Sequence, residues 1–262
     1  MRGPSCSKSA GLTSRRGPLI FIAGGGALGS KALSDMRKAM KNARILVVDV
    51  NESCSARGLV DAVVPEEELS EERLKAVESM LVIGDAARVL SKALRIGFRP
   101  EIVVPAIPKH FTAYFLKQEL EARGHKVIPA PHALEEVLRL FPRDLVLSAS
   151  AESAMFTSSY MPYQFKCTIP CAQPNICPVT GRFKSKPMFE LIRNALRSVD
   201  MALVLESRKI SEFSGGFDFN ELWSFIRELE AGATKEGLVL AIATACKCHG
   251  VVNFFEVTRL RA

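Results

Sequence analysis

Three glycines and one carboxylate carry the clearest chemistry in the chain. Gly24, Gly26 and Gly29 stand at G-x-G-x-x-G spacing, with Ala27 and Leu28 before the last, and Asp49 lies 20 residues beyond Gly29. An apolar run, Leu19 to Ala23, precedes the glycines. A helical pattern follows, and a second apolar run, Ile45 to Val48, ends at Asp49. This order suits a pyrophosphate. The first glycine permits a tight turn, the second lets backbone approach the phosphates, and the third lets the helix pack closely on the strand. The helix start offers free N–H groups and a partial positive charge. Asp49 can accept hydrogen bonds from an adenosine ribose and repels a 2′-phosphate, which points to NAD ahead of NADP. Val50, Asn51 and Glu52 supply no arginine for such a phosphate, and Arg57 alone could reach back. The same elements suit FAD or S-adenosylmethionine. A turn that needs glycine only to bend is the plainest alternative.

Cysteines form the second constellation. The chain has seven, of which Cys167, Cys171 and Cys177 make a C-x3-C-x5-C pattern, while Cys246 and Cys248 stand beside His249. Cys6 and Cys54 lie apart. An odd count leaves a thiol over in any disulfide scheme, and clustered cysteines in a nucleotide-binding chain point to metal. Pro170, Pro174 and Pro178 stiffen the three-cysteine loop, which lowers the entropy cost of gathering ligands. Three thiolates from the loop and one from Cys246 or Cys248 make four. Four thiolates suit a [4Fe–4S] cluster. They also suit structural zinc, as would three with His249. The chain has neither the C-x2-C pairs of most structural zinc sites nor the common ferredoxin spacing. Without metal, these are buried structural cysteines or a redox thiol pair.

A third group centres on Lys109 and His110, which follow an apolar strand through Pro105-Ala106-Ile107-Pro108. Ligands in open α/β sheets bind beyond the carboxyl ends of the strands. A neutral imidazole there could do general acid–base work. The bland reading is a helix-start histidine beside a surface lysine. Arg182, Lys184 and Lys186 follow the cysteine loop and could face Lys109 and His110 across a cleft suited to an anionic small molecule. A solvated basic face is the simpler account. Gly215-Gly216 could be a second phosphate loop or a plain turn.

The elements that must position these residues alternate. Strands are expected at Leu59 to Val64, Met80 to Ile83, Glu101 to Ala106 and His125 to Ile128, and helices at Pro65 to Ser79, Ala86 to Ile96 and Phe111 to Arg123. Such alternation predicts a parallel sheet with right-handed crossovers. The later half is less regular, with strands at Asp144 to Ser148, Met201 to Leu205, Leu238 to Ala243 and Val251 to Val257, and helices at Met188 to Ser198 and Phe219 to Glu230. Met161 to Pro187 holds five of the 14 prolines and reads as a loop. The division drawn from this is a disordered basic tail over 1–17, a nucleotide-binding domain over 18–142 and a cysteine-rich α/β domain over 143–262. With 262 residues, 48% hydrophobic and 24% charged, the composition is that of an ordinary globular protein. No apolar run reaches the roughly 20 residues of a membrane helix. The net charge is +7, but Arg2, Lys8, Arg15 and Arg16 place +4 of it in an acid-free tail. The expectation is therefore no specific nucleic-acid binding and no membrane partner. The tail lacks the apolar core of a secretory signal, which reads as cytoplasmic.

The segments IAGGGALGSKAL, VVDVN and LVIGDAARVL resemble the TrkA-N (RCK-like) branch of NAD(P)-binding Rossmann domains. The resemblance covers about the first 130 residues. It implies a Rossmann-like parallel sheet, and it implies that Asp85 helps position the nucleotide. Nothing in TrkA-N domains accounts for residues 145–262; the smaller α/β cysteine-rich metal-binding half expected there rests on the cysteines. VPAIPKH and CxxxCxxxxxCPVTGR look like an uncharacterised prokaryotic family that joins such a domain to a cysteine-rich half. That likeness supplies no activity. Adenylating enzymes of cofactor pathways share the glycine turn but carry paired C-x2-C knuckles.

The leading expectation is an NAD-binding oxidoreductase-like protein with an iron–sulfur or zinc site, acting on a small molecule. A regulatory nucleotide-sensing module and an adenylating or methyl-transfer enzyme are the rivals. A homodimer is compatible with any of them.

Overall fold

A computed structural model of the chain describes residues 17–168, 170–232 and 237–259. The basic tail expected over 1–17 lies almost wholly outside the described residues, as does Cys6. Among the described residues no helix is long and apolar enough to cross a membrane.

The chain is α/β, built on two sheets. Its first strands are β1 (Leu19–Ala23), β2 (Arg44–Asp49), β3 (Ala62–Pro65), β4 (Ser79–Ile83) and β5 (Ile102–Pro105). They are linked by α1 (Ala27–Ala39), α2 (Glu71–Ala76) and α3 (Ala86–Arg95). All five strands are parallel, in the order β3-β4-β2-β1-β5. Strands β1 and β2 are almost wholly buried, because both faces are covered. Ile20, Ile22, Ile45 and Val47 pack with Leu33 and Met36 of α1 on one face. Phe21, Leu46, Val48 and Val82 pack with Val89 and Leu90 of α3 on the other. Such double burial explains the near-continuous apolar runs that made these strands visible.

Next come α4 (Phe111–Ala122), β6 (His125–Pro129), α5 (Pro131–Leu140), β7 (Val146–Ser150), β8 (Met155–Ser159) and α6 (Met188–Ala195). They are followed by β9 (Met201–Glu206), β10 (Arg208–Lys209), β11 (Gly215–Asp218), α7 (Phe219–Gly232), β12 (Leu238–Ala245) and β13 (His249–Arg259). The second sheet runs β7-β8-β13-β12-β9, with β6 pairing along the far end of β13. One face rests on α5 and α6 through Phe156, Phe254, Leu134 and Ile192. The other meets α4 and α7 through Leu240, Ile242 and Phe255. Helix α4 thus lies between the sheets. A file of rings, Phe21, Phe111, Phe115, Phe219 and Trp223, runs through this region with successive centroids 5.9, 6.2, 5.9 and 6.1 Å apart.

The expected boundary at 142 does not coincide with the division between sheets. Strand β6 joins the second sheet, while β10 and β11 extend the first beyond β5. Gly215 and Gly216 are therefore strand residues, not a phosphate loop or a plain turn. A Cβ on Gly216 would meet the Val103 carbonyl at 2.7 Å. The expected helix at Pro65 to Ser79 is broken into a short 3-10 turn at Glu66–Glu68 and α2. Strand β8, MFTSS, had no sequence signal strong enough to mark it. Met161 to Pro187 is a loop as the prolines required, with one bridge between Ile176 and Phe183.

Candidate functional site

Two of the three glycines meet different steric constraints, and the third does not. Gly24 takes φ +108°, and a Cβ there would meet the Ala106 carbonyl oxygen at 2.5 Å. A Cβ on Gly29 would strike the Gly24 carbonyl, so α1 comes this close to β1 only because position 29 is glycine. Gly26 faces open space. Helix α1 begins at Ala27 with no side-chain cap and no acid in its first turn. Its first N–H groups thus lack side-chain partners and suit an anion. Asp49 sits against the turn: the Gly25 N–H donates to Oδ2 at 2.6 Å, and the Asn51 N–H to Oδ1 at 2.8 Å. Buried Cys54 fills the space a Gly25 side chain would need. Arg57 is paired with Glu52 at 2.7 Å. Leu28 and Val50 are 61% and 75% exposed, two large apolar side chains flanking the glycines and Asp49. Asp85 is occupied otherwise. Its Oδ1 caps α3 by accepting from the Ala87 and Arg88 N–H groups, both at 3.0 Å, and its Oδ2 accepts from the Tyr114 hydroxyl at 2.8 Å. The structure thus gives Asp85 a fold role.

Beside this turn the sheet changes direction. After β2, β4 and β3 build outward on one side of β1, the chain crosses to place β5 on the other. Crevices at such switch points, outside the carboxyl ends of the strands, are where open α/β sheets bind ligands. Here the Ala106 N–H donates to the Ala23 carbonyl at 2.7 Å, tying the segment that carries Lys109 and His110 to the glycine turn. From it opens a cleft of about 720 Å³, walled by Ile107, Phe111, Met155, Val251 and Phe255.

Three polar side chains of this cleft converge on His110. Its Nδ1 lies 2.7 Å from Asn253 Oδ1, and its Nε2 lies 2.6 Å from Thr112 Oγ1 and 3.0 Å from Thr244 Oγ1. Asn253 Oδ1 only accepts, so Nδ1 carries the proton and Nε2 accepts from a threonine hydroxyl. Desolvation pushes the His110 pKa down to about 4, against the pull of the Asn253 bond. The ring is neutral near pH 7. Lys109 lies with its amine 4.9 Å from the Tyr114 ring centre at the cleft wall. Thr112, Thr244 and Asn253 carried no motif, and only the pairing of β12 with β13 brings Thr244 and Asn253 together.

Four cysteines surround a second, smaller cavity: Cys167, Cys171, Cys177 and Cys248, with Lys184 and His249. Of the two candidates at the hairpin turn, Cys248 lines the cavity. Cys246 instead lies 3.7 Å from His249 Nδ1. Local backbone turns point N–H groups at sulfur. Gln173 donates to Cys171 at 3.3 Å, and Cys248 and His249 donate to Cys246 at 3.4 and 3.3 Å. The Thr180 hydroxyl, with the Thr180 and Val179 N–H groups and the Lys184 charge, outweighs burial and holds the Cys177 thiol below its ordinary pKa. Burial pushes Cys246 up, but His249 and the same N–H groups bring it net below the usual thiol value. Cys167 is raised by burial and by the neighbouring sulfurs of Cys171, Cys248 and Cys177. Lys184 is buried and donates to Cys248 Sγ at 3.1 Å, and Arg182 is ion-paired with Asp144. The cleft spanned by Lys109 and His110 on one side and Arg182 or Lys184 on the other does not form, because both basic residues turn to these partners. Among the described residues no three donors converge closely enough to form a ready single-ion site. The cavity, at about 10 Å³, has room for about one water. The donor chemistry fits a thiolate-bound metal, and the spacing requires these thiols to move on loading.

The two cavities share one sheet face. Phe255, Asn253 and Val251 of β13 line the cleft, and His249, two residues further along the same face, lines the cysteine cavity. On β8, Met155 and Thr157 line the cleft, and Met161 beyond its end lines the cavity.

Residues 113–258 match the family AF_1314_C, described as "Uncharacterized protein, C-terminal domain". The chain belongs to this family. The match starts within α4 and takes in the second sheet, the cysteine cavity and most of the cleft's far wall. A protein of Archaeoglobus fulgidus, described as "Uncharacterized protein", is 29% identical over 232 residues, which are 88% of this chain and 96% of the relative.

Proposed function

We propose that the chain is an NAD-dependent oxidoreductase whose substrate occupies the His110 cleft. The observation that carries this reading is the switch point: the glycine turn and the cleft open at the same end of one parallel sheet, bridged by the Ala106–Ala23 bond. The order β3-β4-β2-β1-β5 supports a Rossmann-like reading with one added edge strand. The uncapped start of α1 suits the pyrophosphate and Asp49 the adenosine ribose, and Arg57, held by Glu52, offers little to a 2′-phosphate. Bound NAD would supply hydride transfer. The chain's own residues would enclose an apolar substrate between Ile107, Phe111, Val251 and Phe255, exclude water from it, and fix its oxygen beside Thr244 and His110. Lys109, at the cleft wall, suits an anionic substituent. The thiolates of Cys167, Cys171, Cys177 and Cys248 would hold zinc or an iron–sulfur cluster that ties the loop to the β12–β13 turn.

A second reading rests on His110 itself. Both ring nitrogens are already bonded to protein, which favours a nucleotide-sensing module without turnover. Titration calorimetry with NAD, against Gly26→Val, tests the binding claim common to both. Equal affinity in the two proteins rejects it. Loss of NADH absorbance over a panel of ketones and aldehydes then separates enzyme from sensor. A visible spectrum and metal analysis of anaerobically purified protein separate iron–sulfur from zinc.

A further inference from the structure

The positive charge of this chain is concentrated, not spread. The tail of residues 1–17 holds +4. Residues 160–187 hold Lys166, Arg182, Lys184 and Lys186 and no acid, another +4, so the rest of the chain sums to −1 against the total of +7. The second basic segment is the cysteine loop, and its outer surface is aromatic. Tyr163 is 72% exposed, Phe165 44%, Ile176 59% and Phe183 65%. These four make up nearly half of the large hydrophobic side chains exposed among the described residues.

The backbone explains why Ile176 and Phe183 face outward. Ile176 pairs with Phe183 as an antiparallel bridge, and the Cys177 N–H donates to the Arg182 carbonyl at 2.9 Å. Residues directly opposite each other share a face of such a ribbon, and neighbours take the other. Cys177 and Lys184 therefore turn inward to the cavity, which leaves Ile176 and Phe183 outward. Inward pairing also removes two of the four cations from the surface: Lys184 is buried on Cys248, and Arg182 is paired with Asp144. Lys166, Lys186 and, from the β12–β13 turn, Lys247 stay exposed, with no ion pair among the described residues. The Lys247 N–H donates to Gln173 Oε1 at 3.2 Å, which places this third lysine against the loop.

We infer that the outer face of the cysteine loop binds single-stranded nucleic acid without sequence preference. Exposed aromatic rings interleaved with lysines are the means by which proteins track such strands. Bases stack on the rings, and the cations follow the phosphates. No base-edge reader is needed, so this agrees with the expectation of no specific nucleic-acid binding. The patch is separate from the NAD reading and from the cleft. An acidic protein partner would use the lysines but has no need of three exposed rings.

The test is fluorescence anisotropy of the full chain with a labelled oligouridine of about 12 nucleotides, within the site sizes of such proteins. Wild type should bind at low salt, with log Kd rising with log salt at a slope of about 2, as roughly three neutralised phosphates give on a single strand. Phe183→Ala and Tyr163→Ala keep every charge and should each weaken binding about tenfold, the loss of one stacked base. Lys166→Glu should weaken binding and flatten the salt slope. Far-ultraviolet circular dichroism identical to wild type shows that the variants fold. No binding at low salt overturns the inference. So does binding that is indifferent to Phe183→Ala and Tyr163→Ala, since the basic tail, intact in every variant, would then be holding the strand as a plain polycation. Equal affinity for the duplex overturns it too.

Discussion

His110 and Asn253 are joined by a 2.7 Å hydrogen bond across 143 positions of sequence, and that bond couples the loop after β5 to the second sheet. It also fixes the tautomer of a neutral imidazole in an apolar cleft. A buried amide and a half-buried ring satisfy each other here, and the amide has no other good partner: its remaining contact, to the Ser153 carbonyl, is 3.4 Å long.

Asn253→Leu keeps the volume and removes the acceptor. The His110 N–H is then buried unpaired, which costs about 1–3 kcal/mol. Urea unfolding at neutral pH should show a loss in that range. A midpoint equal to wild type would mean that water replaces the amide.

The same ring makes stability depend on pH. The folded His110 pKa is depressed from 6.5 to about 4, so between these values the unfolded chain binds the extra proton. The contribution is complete above pH 6.5 and is lost as pH falls toward 4, and stability rises with pH through that window. The depression corresponds to about 3 kcal/mol at most. His110→Gln should lose this slope while keeping the polar contacts in part. Unfolding curves of the two proteins that run parallel from pH 4 to 7 would refute the assignment.

The glycine turn separates two effects that sequence spacing alone merges. Gly29→Ala sets a Cβ against the Gly24 carbonyl, so it should destabilise the fold by about 2 kcal/mol or more. Gly26→Val enters open space and should leave thermal stability near wild type while abolishing NAD binding. Calorimetric melting of both variants, with and without NAD, checks the pair together.

For the cysteine centre, Cys177→Ser should release bound metal and lower the stability of the second sheet region. Thiolate ligation makes metal binding part of the folding energy. Elemental analysis is the measurement. Stoichiometric metal in Cys248→Ser but not in Cys246→Ser would reverse the assignment made from the cavity lining.

Much of this fold was legible because burial on both faces writes itself as apolar runs: β1, β2 and β4 were expected within a residue or two of where they lie. The turn role of Gly24 and the packing role of Gly29 were legible because backbone geometry restricts residue type most strongly there. The cysteine set was legible by clustering, though not the choice of Cys248 over Cys246, which depends on how the hairpin turn is aimed. Of the four residues in the His110 network, only His110 itself was legible. Thr112 and Thr244 look like ordinary helix and strand threonines, and Asn253 sits in an apolar strand with no cue to a partner 143 residues away. For Asp85 the fold role was not legible, because a Gly-Asp after a strand gives no sign of a helix cap completed by Tyr114, whose hydroxyl lies a whole helix further on.

The exchange of strands between the sheets bears on how the molecule can be divided. Cutting after Phe141-Pro142 would strip β13 of β6 and leave β5 without β11. Each fragment would then expose an unpaired strand edge, the kind of surface that recruits foreign strands and aggregates. Strands β6, β10 and β11 thus tie the two sheets to each other. A calorimetric scan of the intact chain should show one transition, and pieces made at that cut should be recovered as insoluble aggregates unless they are produced together.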